Sequence, residues 1–350
     1  MNKKQENSTY ILNGYAIYYY FSPRKQVLSD RLMHLNLKLF LIIFLGLGLS
    51  FATFGQQAPV FTHHSYTNMF TNPGFAGMGE GICLNGIVRQ QWAGFKDADG
   101  NSVAPETFLI TGDAPIKKVH GGLGASIMQD KIGFQSDINV NLDYSYHLDV
   151  GGAVLGIGAG LNLLNRTVDF SKFDPLTGGD PALASGKQSD MLFDANLGLF
   201  WQVPENYYFG ISVTSLLQSH GKALTDGSDA SFSGDRTFYF ISGYTFRFKN
   251  NPAYEFHPSL SIMTNTVSTQ YNVSGTVVYN KRFWGGVNYR FQESIGLMIG
   301  LLVKDFRFGY AYDINTLGLG VPGSHEISLG YCFKLNTDKG IRSYRNIRYL

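Results

Sequence analysis

The stretch DINVNLDYSYHL, which spans residues 137–148, decides the fold. Apolar and polar side chains alternate along its whole length. Because successive side chains of a β-strand point to opposite faces, one face of this strand is apolar and the other is polar. A strand of a soluble β-sandwich can also alternate, but it seldom does so over this length with tyrosines near the end of the apolar face. The stretch therefore indicates a strand that shows one face to lipid and the other to water.

Segments with similar alternation recur along the chain. They are predicted at about residues 82–91, 106–113, 121–131, 136–148, 153–164, 191–202, 206–214, 236–248, 255–264, 269–279, 282–290, 294–301, 305–313 and 324–335. In hydrocarbon every backbone N–H and C=O group needs a partner, so such strands span only as a closed sheet without an edge. An even number, about fourteen strands, is typical of single-chain bacterial barrels. The predicted fold is all-β, a transmembrane outer-membrane antiparallel β-barrel.

The lengths of the connections support this topology. Long connections are predicted around residues 92–105, 165–190, 215–235 and 314–323. If the first strand runs outward, all four lie on one side of the barrel, and the short connections at 149–152, 203–205, 280–281 and 302–304 lie on the other. Outer-membrane barrels pair short periplasmic turns with long extracellular loops, and this sequence predicts the same arrangement.

The composition fits a wall that faces lipid. The chain is 44% hydrophobic and 15% aromatic, and only 15% of its residues are charged. A net charge of +2, with basic residues scattered among acidic ones, provides neither a field nor a basic stripe for nucleic acid. No nucleic-acid partner is therefore predicted.

The N-terminal region is typical of a secreted protein. An apolar run at residues 39–49 follows His34 and Lys38 and precedes small residues that end at Gly55. It predicts a signal peptide over residues 33–55, cleavage near Gly55 and localisation in the outer membrane. Residues 1–32 are interpreted as an upstream extension assigned in error, with a real but unusual leader as the alternative.

Two segments flank the predicted barrel, which covers residues 82–335. Residues 56–81 are aromatic but do not alternate, and Asn72-Pro73-Gly74 is a strong turn signal. We expect this segment to pack at the periplasmic mouth or to fill the lumen, because a barrel of this size has a bore. Residues 336–350 form a basic periplasmic tail. Its cations recur at steps of three and are candidates for binding a partner, with a solvated end as the alternative: Lys339, Arg342, Arg345 and Arg348.

The chain has only two cysteines, Cys83 and Cys332, in the first and last predicted strands. These strands must be neighbours at the seam of a closed barrel, and the alternation points both cysteines inward. A disulfide in the oxidising periplasm is possible in geometry, with two free thiols as the alternative, because the register of the seam is not fixed by sequence.

The inward-facing polar residues include no catalytic, cofactor-binding or metal-binding constellation. His147 is expected to make a hydrogen bond in the lumen, and three glycines at 156, 158 and 160 to allow curvature or a close approach from inside. A mutually paired charge network that fills the lumen is predicted for Arg89, Asp137, Asp143, Arg307 and Glu326, with a selectivity filter as the alternative. No cofactor is predicted.

Short motifs spread over nearly the whole predicted mature chain resemble those of the PorP/SprF family of Bacteroidota membrane proteins. The residues that carry the resemblance include Asn72, Pro73, Ala76, Gly77, Arg89, Trp92, Gly94, Phe95, Asp130, Lys131, Gly133, His325 and Glu326. Each string is weak alone, but their order and spacing together are specific.

The resemblance implies a non-enzymatic outer-membrane component of the type IX secretion and gliding machinery. The implied partners are secreted adhesin-like cargo with C-terminal signal domains and periplasmic secretion or gliding proteins, besides the outer-membrane lipid that a barrel requires. A passive porin or small-solute transporter of similar architecture is the alternative, and a lipid-modifying barrel enzyme ranks third.

Overall fold

The computed structural model describes residues 58–79, 81–97, 100, 102–172, 186–221, 232–265, 267–318 and 320–334. The predicted signal peptide, the extension before it and the basic tail with Lys339, Arg342, Arg345 and Arg348 lie outside these ranges.

The described residues contain fifteen β-strands in one antiparallel sheet. They are β1 Gly81–Gln90, β2 Glu106–Ile116, β3 Gly121–Ile132, β4 Gln135–Val150, β5 Ala153–Asp169, β6 Lys187–Val203, β7 Tyr207–Thr214, β8 Thr237–Tyr244, β9 Phe246–Arg247, β10 Tyr254–Thr264, β11 Thr269–Tyr279, β12 Phe283–Arg290, β13 Ser294–Val303, β14 Phe306–Asn315 and β15 Ser324–Lys334. The two residues of β9 pair with β10, as β8 does, so β8 and β9 form one interrupted strand of the wall.

The sheet closes on itself. Each strand pairs with its neighbours in the chain, and β1 pairs with β15 from Gly81↔Lys334 to Gln90↔His325. With β8 and β9 counted together, the wall has fourteen strands and no edge, which confirms the predicted antiparallel barrel. We call the end where residues 91–105, 170–186, 215–236 and 316–323 connect strands the long-loop end. The opposite end, with connections such as 151–152 and 304–305, is the short-turn end.

The outer face of the wall is apolar and its inner face is polar, which is the reverse of the arrangement in a soluble protein. In β4, Leu142 is 59% exposed on the outer face, whereas its neighbour Asn141 is 2% exposed on the inner face. In β1, Ile82 and Leu84 are exposed, whereas Arg89 is buried. A continuous apolar exterior around a polar interior is unfavourable in water and favourable in a bilayer. The wall therefore spans a membrane.

Aromatic side chains mark both ends of this apolar exterior. At the short-turn end the rings pair across strands, with centroids 4.9 Å apart for Tyr254 and Tyr279 and 6.5 Å apart for Tyr207 and Tyr244. At the long-loop end, Tyr289 and Phe291 are exposed in the same way. Such aromatic belts lie at the two membrane interfaces of outer-membrane barrels.

Helical structure is minor among the residues that the structure describes. It consists of α1 Asn68–Thr71 and the 3₁₀ turns His64–Tyr66, Pro73–Phe75, Lys117–Val119 and Phe170–Lys172. Over the residues that the structure describes, no helix is long and apolar enough to cross a bilayer.

The predicted bounds of two strands and of the loop between them were wrong. β5 continues to Asp169 and β6 already begins at Lys187, so the predicted long loop at 165–190 is shorter than expected. The extra residues pair normally, for example Arg166 with Asp190. Except for Val168 they are polar on both faces, so they lack the alternation by which lipid-facing strands are recognised. The predicted strand 236–248 is interrupted at Thr245, which is buried and whose hydroxyl hydrogen-bonds to His257 Nδ1 at 3.1 Å.

Candidate functional site

A segment of the chain lies inside the bore. We call residues 58–79 the lumen segment; it is built from two 3₁₀ turns and α1. Asn72 ends α1 and caps the following turn, because its side-chain oxygen accepts a hydrogen bond of 2.8 Å from the Gly74 N–H. Pro73 occupies the first position of that turn, where its missing N–H costs no hydrogen bond. The turn signal in the sequence thus corresponds to a real turn.

The lumen segment runs from one end of the bore to the other. Near the long-loop end, the N–H groups of Thr62 and His63 donate to Glu326. Near the short-turn end, the Gly77 N–H donates to Asp113 at 2.8 Å. Other hydrogen bonds join the lumen segment to wall residues Ser145, His147, Leu199, Ile211, Ser212, Ser259, Asn272 and Arg290. The segment is therefore bonded to strands all around the barrel.

A buried charge cluster holds the long-loop end of the lumen segment. Glu326 accepts from the backbone of Thr62 at 2.9 Å and of His63 at 2.8 Å, and its carboxylate lies 2.6 Å from His63 Nδ1. Arg89 pairs with Glu326 at 3.1 Å and with Asp313 at 2.8 Å. The Asp313 carboxylate accepts from the Thr62 hydroxyl at 2.7 Å. We call Arg89, Asp313 and Glu326 the clamp.

Arg290 supports the clamp from β12. It lies 3.7 Å from Asp313, pairs with Glu293 at 2.6 Å and donates to the Val60 carbonyl at 3.3 Å. Its side chain is 1% exposed. Buried charges are tolerated only when they are paired and hydrogen-bonded, and here the backbone of the lumen segment supplies part of that pairing.

Glycines of the wall make room for the lumen segment. A Cβ atom at Gly156 would meet the Gly74 carbonyl, and one at Gly158 would meet the backbone of Pro73 and Gly74. The predicted close approach from inside is confirmed at these two positions. The third, Gly160, instead lies against the Asp143 side chain.

The motif glycine Gly77 is required for a second reason. Its φ is +68°, a conformation that costs residues with a Cβ atom, and its backbone packs directly on that of Gly122. His147 Nε2 lies 2.9 Å from the Ala76 carbonyl next to it, which confirms the predicted lumen hydrogen bond and places its partner in the lumen segment.

The predicted single charge network was wrong in its connections. Arg89 and Glu326 do pair, but Asp137 pairs with Arg166 at 2.7 Å in a separate group. Arg307 donates to Asn85 at 2.7 Å and its guanidinium lies 3.6 Å from the centroid of the Tyr66 ring. Asp143 belongs to neither group, and its Oδ1 has no hydrogen-bond partner among the described residues.

Sequence reasoning missed several residues of the site because their roles depend on register. Thr62 and His63 lie in a segment without periodicity, and Arg290 was not singled out. No role was predicted for Asp313. The sequence signal that could have identified them is the strand alternation, which points charged residues near the ends of neighbouring strands into the barrel.

The other motif residues lie near the long-loop end. The Trp92 N–H donates to the Ser324 hydroxyl at 3.2 Å, and the Trp92 and Phe95 rings are 6.1 Å apart. Gly94 and Gly133 have φ values of +91° and +57°, which suits turns.

Three further motif side chains differ in their surroundings. Asp130 is buried and accepts from the Thr107 hydroxyl at 2.6 Å, and Lys131 is exposed. His325 lies on the outer face, 2.8 Å from the Tyr310 hydroxyl. His325 therefore takes no part in the lumen site, although its neighbour Glu326 does.

The two cysteines face each other at the seam. Cys83 and Cys332 are directly opposed in the β1–β15 ladder, with Cα atoms 4.1 Å apart and both side chains buried. This Cα distance is below the limit of about 7 Å beyond which two cysteines cannot be bridged.

Two cavities adjoin the lumen segment. One, of about 40 Å³, is lined by Tyr66, Gln202, His257 and Trp284 among others, toward the short-turn end. The second, of about 180 Å³, lies near the long-loop end, and we call it the vestibule. Among the described residues no group of three or more His, Cys, Asp or Glu side chains is arranged to hold a metal ion.

A membrane-spanning β-barrel of the outer-membrane type, with its own N-terminal segment clamped in the bore, is the class of protein that this fold and site define. The sequence model described as "Type IX secretion system membrane protein PorP/SprF" matches residues 53–331. The chain belongs to this family, as the motifs predicted. Among curated proteins, none matches the chain.

Solved structures that match the chain include the following three. The toluene transporter TbuX of Ralstonia pickettii is 13% identical, with 76% of this chain and 93% of that chain covered and a TM-score of 0.44. A FadL homologue of Pseudomonas aeruginosa is 11% identical, with 76% and 94% covered and a TM-score of 0.43. The KdgM porin is 10% identical, with 72% and 99% covered and a TM-score of 0.34.

Proposed function

We propose that the protein is a non-enzymatic outer-membrane component of the type IX secretion and gliding machinery. In this role it binds or anchors secreted adhesin-like proteins through their C-terminal signal domains and contacts periplasmic secretion or gliding proteins. The mature protein forms when the signal peptide, residues 33–55, is removed by cleavage near Gly55. Membership of the PorP/SprF family supports the role in secretion.

The observation that carries the accessory role is the clamped lumen segment. A porin needs a continuous aqueous path, whereas here Thr62 and His63 are bonded to the clamp and Gly77 to the opposite end of the wall. A wall with a filled bore suits a protein that presents surfaces to partners. The porin alternative requires the lumen segment to leave the bore.

The proposal assigns the two ends of the barrel to different partners. The long-loop end faces the outside and offers its loops to cargo, while the short-turn end faces the periplasm. The basic tail, with Lys339, Arg342, Arg345 and Arg348, extends the periplasmic side and binds acidic surfaces of the machinery by charge complementarity.

Affinity purification from the cells that express the protein tests the proposal. The tagged full-length chain, extracted in mild detergent, is expected to bring down secreted proteins with C-terminal signal domains together with periplasmic components. Replacing the four tail cations by serine is expected to remove the periplasmic components and to keep the cargo. A matched variant with four serines in place of exposed cations of the wall serves as control.

If neither cargo nor periplasmic proteins co-purify, and the purified chain conducts ions steadily in a planar bilayer, the protein is a porin and the proposed function is wrong.

A further inference from the structure

The cavity of about 40 Å³ toward the short-turn end, which we call the aromatic cavity, lies between the lumen segment and the wall. Buried aromatic residues line it in two groups. Phe200 packs on Phe75 and Tyr208, with ring centroids 4.8 Å and 5.6 Å away, and Tyr66 and Trp284 form an edge contact at 6.0 Å. A mostly apolar cavity with a few polar groups is the usual form of a small-ligand site.

Three of the residues that line the aromatic cavity carry a buried polar atom without a partner. Gln202 Oε1, Trp284 Nε1 and His63 Nε2 make no hydrogen bond to any residue that the structure describes. The three residues are only 4%, 5% and 2% exposed. Leaving a buried donor or acceptor unpaired costs free energy, so an occupant that pairs with these atoms is favoured.

The unpaired atoms determine the chemistry of that occupant. Gln202 Oε1 only accepts hydrogen bonds, and Trp284 Nε1 only donates. His63 Nδ1 lies 2.6 Å from the Glu326 carboxylate, which accepts, so Nδ1 carries the proton and Nε2 of the neutral ring is an acceptor. The occupant must therefore supply two donors and one acceptor. A primary carboxamide has two N–H donors and a carbonyl oxygen, whereas an ammonium group only donates and a carboxylate only accepts.

The volume limits the size of the occupant. A buried water needs about 10–15 Å³, so this cavity takes about three groups of that size, which matches the carbon, nitrogen and oxygen atoms of one carboxamide.

We propose that the aromatic cavity binds a primary carboxamide group, whose N–H groups donate to Gln202 Oε1 and His63 Nε2 and whose oxygen accepts from Trp284 Nε1. Two sources supply this chemistry. One is a free small amide, and the other is a glutamine or asparagine side chain of another polypeptide that enters at the short-turn end. A carboxamide binds here whether or not the protein serves secretion.

Nuclear magnetic resonance tests the site on the processed full-length protein in detergent, with isotope-labelled tryptophan. The indole N–H signal of Trp284, identified by its loss in Trp284→Phe, reports binding directly. Acetamide is the first probe, and N,N-dimethylacetamide, which keeps the carbonyl but has no N–H donor, is its match. N-acetylglutamine methylamide is the second probe, and N-acetylmethionine methylamide is its match.

Two variants accompany the probes. Gln202→Met removes the acceptor of the cavity at nearly constant size. Gln129→Met makes the same change at an exposed position of β3 that does not line the cavity, and is the control. Heat-modifiable gel migration verifies that each variant is a folded barrel.

We expect acetamide to shift the Trp284 signal in a saturable manner and to bind at least about tenfold more tightly than dimethylacetamide. Gln202→Met should weaken the binding of acetamide about tenfold, and Gln129→Met should leave it unchanged. If the glutamine probe also binds and its methionine match does not, a polypeptide side chain is the source; if only acetamide binds, the source is a free small amide.

The proposal is overturned if neither amide gives a saturable shift, which would leave the cavity to water. Equal affinities of acetamide and dimethylacetamide for the wild type, or of acetamide for Gln202→Met and Gln129→Met, overturn it as well. The comparison of matched probes needs only the wild-type protein, so it decides the matter even if a variant does not fold.

Discussion

The substitution Glu326→Gln tests the clamp most sharply because it keeps the shape of the side chain and removes its charge. Glu326 is 1% exposed and accepts three hydrogen bonds from Thr62 and His63 besides its pairing with Arg89. Hydrogen bonds to a charged group contribute about 1.5–3 kcal/mol each, and breaking a buried ion pair from one side costs about 3–5 kcal/mol. We expect Glu326→Gln to destabilise the seated lumen segment by about 3–5 kcal/mol. The fraction of molecules in which this segment has left the clamp should then rise at least about a hundredfold.

Hydrogen exchange read by mass spectrometry measures this population directly, because the amides of Thr62 and His63 exchange only when the segment leaves the clamp. Peptides that cover residues 60–66 are expected to exchange at least about a hundredfold faster in Glu326→Gln. Glu106→Gln, the same change at an exposed site of β2, is the control and should alter exchange little. Equal exchange in both variants and the wild type would refute the clamp.

Three further predictions concern the seam, the packing of the bore and its response to pH. Cys83 and Cys332 are expected to be a disulfide, so alkylation of the unfolded protein should leave its mass unchanged until a reductant is added; labelling of both thiols without reductant contradicts this. Gly158→Ala is expected to weaken seating of the lumen segment by about 1–3 kcal/mol, because the new Cβ meets that segment. Gly86→Ala, with open space around its Cβ, should not weaken it. Equal hydrogen-exchange rates of the lumen segment in the two variants would count against this packing. Burial lowers the pKa of His64 to about 4 from the ordinary 6.5. Between these two pH values His64 takes up a proton only when the lumen segment has left the bore. The contribution of His64 to seating is therefore complete above pH 6.5 and is lost as the pH falls toward 4. Exchange of the lumen segment, corrected for intrinsic rates, should quicken over this range in the wild type and less in His64→Gln, and identical profiles would exclude this role.

The wall was predictable because lipid imposes a local rule. Residues such as Leu142 must be apolar and Asn141 can be polar, and this alternation is visible in any window of the sequence. The same rule fails where the wall leaves the membrane. The ends of β5 and β6 around Arg166 and Asp190 are polar on both faces, so only the ladder itself reveals them as strand.

The site was less predictable than the wall. Asn72 and Gly77 were noticed as motif residues, yet their partners in the wall, Leu199 and Asp113, are far away in sequence. Likewise the contact of Arg89 with Asp313 follows from the shear of the barrel and the path of the lumen segment, neither of which has a local signature. The opposition of Cys83 and Cys332 is of the same kind: the seam was foreseeable and its register was not.

The bore of the barrel is filled by the chain's own lumen segment. Single-channel recording in planar bilayers tests this most directly, on the full-length processed protein and on a variant lacking residues 56–77, each verified as a folded barrel by heat-modifiable migration. The full protein is expected to conduct weakly, and the shortened protein to form a steady open pore. Equally low conductance in both, or an open pore in both, would contradict the account.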